Sequence, residues 1–164
     1  MTGATGGLGR ILTTLLLAQG RDVIATGRDP ARGAALRDAG AQFIASDLAR
    51  DDIAPLLAGI DTIFHLAALS SPWGSHADFV AANLTMTQRL LVAARAAGCR
   101  RFLFASTPSI YAGAAHRLDL TEASRLPGRL VNAYAQTKLA AEHAVRAAGA
   151  PGFATVALRP RAIV

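Results

Sequence analysis

Helix-length and strand-length segments alternate along the whole chain, and glycines punctuate the helix-like ones. The apolar periodicity predicts a helix over 8–19 stopped by Gly20, then a short strand from Val23 to Thr26. Pro30 to Ala39 reads as a helix opened by its proline and ended at Gly40, and Gln42 to Ala45 as the next strand. A short helix over 51–58 ends at Gly59 and leads to a strand from Thr62 to Leu66. A long helix over 76–97, ended by Gly98, precedes a strand from Arg101 to Ser106. Residues 112–131, with Pro127 and Gly128, read as a loop. A helix over 132–148 closes at Gly149, and Phe153 to Leu158 is the last strand. Strands separated by such helices need right-handed crossovers, which make a parallel sheet with helices on its faces. The expected class is therefore α/β, a doubly wound parallel sheet in a single domain over 1–164.

Composition removes several functions. The chain carries a formal charge of +6, but Lys138 is its single lysine and the arginines (Arg10, Arg21, Arg28, Arg50, Arg95, Arg129) are scattered. A nucleic-acid surface needs a clustered basic face, so no nucleic-acid partner is expected. The lone Cys99 excludes an internal disulfide and a cysteine-based zinc site, and no metal is expected. No apolar run approaches the ~20 residues of a membrane span. The stretch Ile11 to Ala18 follows a glycine-rich loop and continues into a strand, unlike a secretion signal, so a cytoplasmic location is expected.

That loop, Thr2-Gly3-Ala4-Thr5-Gly6-Gly7-Leu8-Gly9, spaces its glycines G-x-x-G-x-x-G and opens the first predicted helix. Such a loop needs one glycine for a tight turn, one where backbone meets a pyrophosphate, and one where helix packs on strand. The helix start offers free N–H groups to phosphate oxygens. No G-K-[ST] follows, which argues against a nucleoside-triphosphate P-loop. Thr5, Gly7 and Leu8 complete the candidate phosphate site. At the end of the next strand, Ala25-Thr26-Gly27-Arg28-Asp29 places an arginine before an acid. Arginine suits the 2′-phosphate of NADP and an acid the ribose hydroxyl of NAD, so NADP is preferred and NAD stays open.

Tyr134-Ala135-Gln136-Thr137-Lys138 puts a phenol and an ammonium four residues apart, on one helix face. An unperturbed phenol titrates near ~10, and a neighbouring cation favours its ionised form. A tyrosine tuned in this way can exchange a proton with a carbonyl or alcohol oxygen.

With TGATGGLG at 2–9, Asp47-Leu48, His65-Leu66-Ala67-Ala68, Asn83, Phe104-Ala105-Ser106-Thr107 with Tyr111, Tyr134 to Lys138, and Leu158-Arg159-Pro160 in this order, the chain resembles the extended short-chain dehydrogenase/reductases, the NAD(P)-dependent epimerase/dehydratase group. The resemblance implies a Rossmann-like domain in which Gly3, Gly6 and Gly9 cradle the pyrophosphate, Asp47 and Leu48 border the adenine, and Ala67 and Ala68 line the adenosine side. It implies Thr107 as the hydroxyl that holds the reacting oxygen, with Ser106 and Ser109 as neighbouring candidates, Tyr134 as acid/base and Lys138 as its partner. Asn83 matches a helix asparagine that is structural or part of a proton relay, and Pro160 would lie near the nicotinamide. His65 reads as a structural histidine at a strand end. Pro108 after Thr107, and Ala112-Gly113 after Tyr111, depart from the pattern, while the stretch Leu69 to Gly74 is similar to the hydroxysteroid-dehydrogenase-like branch.

Both ends look incomplete. The glycine loop starts at Thr2, so the strand that should feed it is reduced to Met1 and Thr2, and Val164 follows a strand where a substrate-binding portion is expected. A gene-model boundary is the expected reason for both, rather than a natural minimal protein. A missing central strand would leave backbone groups unpaired on both neighbours, so marginal stability is expected. The expected activity is hydride transfer between NADP(H) or NAD(H) and a secondary alcohol or ketone, a small-molecule substrate. The alternatives are a nucleotide-sugar epimerase or dehydratase with tightly held NAD, a non-catalytic dinucleotide-binding protein, and an inactive fragment. A homodimer through a helix pair is common in the resembled family.

Overall fold

The computed structural model describes residues 1–71, 73–113 and 118–161. Pro72 of the Leu69–Gly74 stretch, residues 114–117 of the expected loop, and 162–164, with the chain end Val164, lie outside the described residues. The elements run α1 (Gly7–Ala18), β1 (Ile24–Gly27), α2 (Pro30–Asp38), β2 (Gln42–Ala45), a 3₁₀ turn (Ala54–Leu57) and β3 (Thr62–His65). They continue through α3 (His76–Phe79), a π-helical segment (Val80–Thr85), α4 (Met86–Ala96), β4 (Arg101–Ala105), a second 3₁₀ turn (Pro108–Tyr111), α5 (Ala133–Ala148) and β5 (Ala154–Leu158).

All strand pairs are parallel: β1 with β2, β3 with β4, and β4 with β5. The residue that unites the two groups is Thr2, which bridges Thr26 on one side and His65 on the other. Thr2 N–H donates to Phe64 O at 2.9 Å, Thr26 N–H to Met1 O at 2.9 Å, and Ala4 N–H to Thr26 O at 3.1 Å. The order across the sheet is therefore β2, β1, the Met1–Thr2 segment, β3, β4, β5, with the chain's first residues at its centre. The expected gap between β1 and β3 is thus half closed. Below Met1 it persists as a small apolar crevice bounded by Ile24, Leu48, Leu56, Ile63 and Leu90.

Local chemistry explains the segments. Asp29 caps α2 by accepting from Ala31 N–H at 2.9 Å and Arg32 N–H at 3.1 Å, and Pro30 fills the first helical position. Asn132 caps α5 by accepting from Ala135 N–H at 2.8 Å. Gly20 and Gly98 end α1 and α4 with φ of +70° and +75°, where a side chain would be strained. Alternation on β4 buries Phe102 and Phe104 against Leu90 and Leu91 of α4 and Ala141 and Val145 of α5. A buried phenylalanine contributes about 1.5–3 kcal/mol, so this layer anchors α5 against the sheet. A smaller cluster, Ala4, Val23, Ala25, Leu36 and Phe43, holds α2 on β1 and β2.

Two expectations need correction. The helix expected over 51–58 is only the 3₁₀ turn Ala54–Leu57, because Pro55 has no N–H with which to extend a ladder. The helix expected over 76–97 is not uniform: its second and third turns widen into the π-helical segment that holds Asn83. Such insertions recur at functional positions.

Candidate functional site

In a parallel sheet every strand ends on the same edge, and here that edge gathers the glycine loop, the ends of β1 to β5, and the start of α5. Gly3 has φ +66°, and a Cβ there would stand 2.7 Å from Ala67 N, so the loop lies directly on the 66–67 backbone. A Cβ on Gly9 would meet the Gly3 carbonyl and stand 2.7 Å from Ala4 Cα, which explains why the first turn of α1 needs glycine there. Gly6 caps α1 without a side-chain acceptor, and Gly7 is exposed with nothing within 4 Å of its Cβ position. The first turn of α1 thus begins at the surface at Gly7 with no side-chain capping oxygen, which leaves its leading N–H groups for a ligand.

The flanking residues continue that surface. Thr5 lies over Gly27, whose Cβ would be 2.7 Å from its Oγ1. Arg28 is exposed and, among the described residues, makes no hydrogen bond or ion pair. Asp29, by contrast, is occupied as the α2 cap and lies 3.4 Å from Arg32. Ser46, which the sequence reading missed, donates its N–H to Gly27 O at 3.1 Å and keeps a buried Oγ without a partner. Asp47 accepts from Ala49 N–H at 3.0 Å, Leu48 is buried with its carbonyl held by Arg89 at 2.8 Å, and Ala68 is exposed beside half-buried Ala67. An open glycine-lined helix start, a free arginine and an orphaned hydroxyl fit a dinucleotide with its pyrophosphate on α1 and its ribose near 28 and 46.

The other half of the edge is built by β4 and α5. Tyr134 is half-buried, and one turn on Lys138 is buried, its Nζ donating to Ala105 O at 2.5 Å and lying 3.9 Å from the Phe104 ring centre. Burial pulls the Lys138 ammonium down to about 7, with the Glu142 charge opposing. Two residues past Ala105, Thr107 caps the second 3₁₀ turn, accepting from Ser109 N–H at 3.2 Å and donating to Ser109 Oγ at 3.0 Å. Ser106 faces elsewhere and donates to Glu142 Oε2 at 2.6 Å. Asn83 accepts from Leu69 N–H at 2.7 Å, while its Nδ2 donates to Leu69 O and to Thr137 Oγ1, both at 3.2 Å. Its side chain is thus engaged in tying the β3 loop to α5. Pro160 is half-buried just beyond β5.

The buried ion pair of this edge was not assigned from sequence. Glu142, one turn after Lys138, is 2% exposed and receives Arg159 Nε at 3.0 Å and Nη2 at 2.5 Å. Arg159 Nη1 also donates to the Tyr111 hydroxyl. Burial pushes the Glu142 carboxyl up, but the Arg159 and Ser106 hydrogen bonds outweigh it and hold it below its ordinary value. The signal was present: Glu142 continues the four-residue row of Tyr134 and Lys138. Its partner lies 17 residues away in sequence.

The family model for the NAD-dependent epimerase/dehydratase family matches residues 1–164. The chain belongs to that family. It is 38% identical over 99% of its length to a Stigmatella aurantiaca 4-hydroxy-2-methyl-3-oxo-4-farnesyl-3,4-dihydroquinoline-1-oxide ketoreductase, covering 49% of that protein. It is 37% identical over 99% of its length to a 2-alkyl-3-oxoalkanoate reductase of Stenotrophomonas maltophilia, covering 50% of it. Among solved structures, MoeE5 in complex with UDP-glucuronic acid and NAD superposes with a TM-score of 0.82 at 36% identity, over 96% of this chain and 52% of that one. The chain thus spans about half the length of these relatives. No helix among the described residues is long and apolar enough to cross a membrane.

Proposed function

We propose that this chain carries the dinucleotide site and proton-transfer residues of an NAD(P)-dependent reductase acting on a small ketone or secondary alcohol. The observation that carries the reading is the juxtaposition, on one sheet edge, of the open glycine-lined start of α1 with the β4 end and the Tyr134–Lys138 face of α5. A nicotinamide bound there supplies the hydride chemistry. Gly3, Gly6 and Gly9 admit the pyrophosphate, Thr5, Gly7 and Leu8 frame it, and Asp47, Leu48, Ala67 and Ala68 border the adenosine. Arg28 favours a 2′-phosphate, because it is free while Asp29 is committed to its cap. Thr107 orients the reacting oxygen and Tyr134 exchanges its proton. Lys138, whose buried amine sits close to its titration point at neutral pH, biases that exchange. Asn83 positions α5, and Pro160 borders the nicotinamide end. Two relatives with reductase names, matched over nearly the whole chain, support a reductase.

The second reading, a nucleotide-sugar epimerase or dehydratase, is favoured by the likeness to MoeE5, whose structure holds UDP-glucuronic acid and NAD. It predicts NAD that survives purification. In the whole protein, Tyr134→Phe is expected to lower turnover with a ketone at least ~100-fold, the usual size of an acid/base contribution. Cofactor affinity measured by fluorescence should stay within about twofold. Undiminished turnover refutes the role of Tyr134.

A further inference from the structure

A chain of buried polar groups, joined at Asn83 through its backbone carbonyl and its side chain, connects the two halves of the edge. His65 is fully buried, with Nδ1 2.7 Å from Thr2 Oγ1 and Nε2 2.9 Å from Thr87 Oγ1. The directions of these bonds are determined by their ends. Thr87 already donates its proton to Asn83 O at 2.6 Å, so towards His65 it can only accept. The ring must therefore carry its hydrogen on Nε2, which leaves Nδ1 to accept from Thr2. Thr2 Oγ1 in turn accepts from Ala67 N–H at 3.3 Å. At the far end, Asn83 donates to Thr137 Oγ1, and Thr137 donates to Ala133 O at 2.8 Å and Tyr134 O at 3.1 Å.

Every side chain on this path is buried: Thr2 4%, His65 0%, Thr87 0%, Asn83 1% and Thr137 3% exposed. Each hydroxyl and each ring nitrogen on it is hydrogen-bonded. The path begins beside Gly3 and ends on the carbonyl of Tyr134. It also grips the β3 loop twice, at Ala67 through Thr2 and at Leu69 through Asn83.

Resting on the dinucleotide reading above, we infer that His65, held as the neutral Nε2–H imidazole between Thr2 and Thr87, is a positioning residue that couples occupation of the glycine loop to the first turn of α5. A packing residue would need only its volume. This one needs a fixed tautomer, because the opposite tautomer would set two lone pairs against each other at Thr87, whose one proton is committed to Asn83 O, and would turn the ring hydrogen on Nδ1 against the hydroxyl hydrogen that Thr2 now donates. Protonation is resisted as well: burial, then the charges of Lys138 and the Met1 amine, push the imidazole down to about 3. The spacer stays neutral while Lys138 titrates near it.

The test is nitrogen NMR on the 164-residue chain with NAD or NADP as the probe. The expected result is an Nε2–H imidazole for His65, and cofactor-induced amide shifts both in 3–9 and in 133–138. Thr87→Val preserves shape but removes the acceptor. It should change the imidazole tautomer and abolish the 133–138 response while the loop response persists, with affinity about fivefold or more weaker, as coupled sites require. Thr87→Ser should restore both signals, and serves if the valine variant does not fold. An Nδ1–H ring in the parent chain, or a 133–138 response that survives Thr87→Val, overturns the inference. A parent chain whose loop responds but whose 133–138 amides do not also overturns it and leaves the dinucleotide reading standing. A loop silent to both cofactors refutes that reading and the coupling with it.

Discussion

Removing one member of the Glu142–Arg159 pair tests the energetics of this edge most directly. In Arg159→Met the carboxylate loses donors at 3.0 and 2.5 Å and, among the described residues, keeps Ser106 at 2.6 Å, in a place where it is 2% exposed. Leaving a buried charge unpaired costs about 3–5 kcal/mol. A domain is stable by only about 5–15 kcal/mol, so the variant should unfold at a much lower urea midpoint with an unchanged slope. Glu142→Gln in the Arg159→Met background removes the stranded charge and should recover about half of the loss. The pH dependence follows from the sign of the shift. The native carboxyl lies below its ordinary value, so its contribution is present above the unfolded pKa of about 4.3 and is lost as pH falls below it. In Arg159→Met burial acts without the guanidinium, the carboxyl titrates higher, and the deficit relative to the parent should narrow between pH 7 and 5. Urea titrations followed by circular dichroism at both pH values decide the matter. A loss under about 1 kcal/mol, or additive effects of the two substitutions, would refute the argument.

Three further outcomes are expected. Thr26 lines the apolar crevice under Met1 with a buried, partnerless Oγ1, so Thr26→Val should stabilise the chain by about 1 kcal/mol in urea, and destabilisation would contradict the orphan assignment. Burial lowers the Met1 amine from 8.0 to about 6. Its contribution is therefore complete above pH 8 and lost as pH falls towards 6, worth about 2–3 kcal/mol across that interval. Lys138 acts in the same direction down to about pH 7, so an Nα-acetylated chain is the control, and an identical slope with and without acetylation would exclude Met1 as the source. Arg28→Glu should weaken NADP binding by tenfold or more while sparing NAD, read by calorimetry; equal losses for both would defeat the 2′-phosphate preference.

The order of elements, the glycine loop and the Tyr134–Lys138 row were legible because each rests on local chemistry. A proline opens α2, glycines end α1 and α4, and alternation marks β4. A four-residue spacing places two side chains on one helix face wherever that helix packs. The π-helical widening at Val80–Thr85 was not legible, because the residues there have ordinary helical character and the extra residue per turn is tied to contacts made with other segments.

The sequence alone determined the alternation that demands a parallel sheet, and the residue types able to hold a dinucleotide and move a proton. Tertiary structure alone decided which buried polar groups meet. Thr2 reaches His65 across 63 residues, His65 reaches Thr87 across 22, and Arg159 reaches Glu142 across 17. Helical and strand periods describe neighbours a few positions apart, whereas a buried donor needs an acceptor within about 3 Å whatever its place in the chain, and only packing the layers sets that distance.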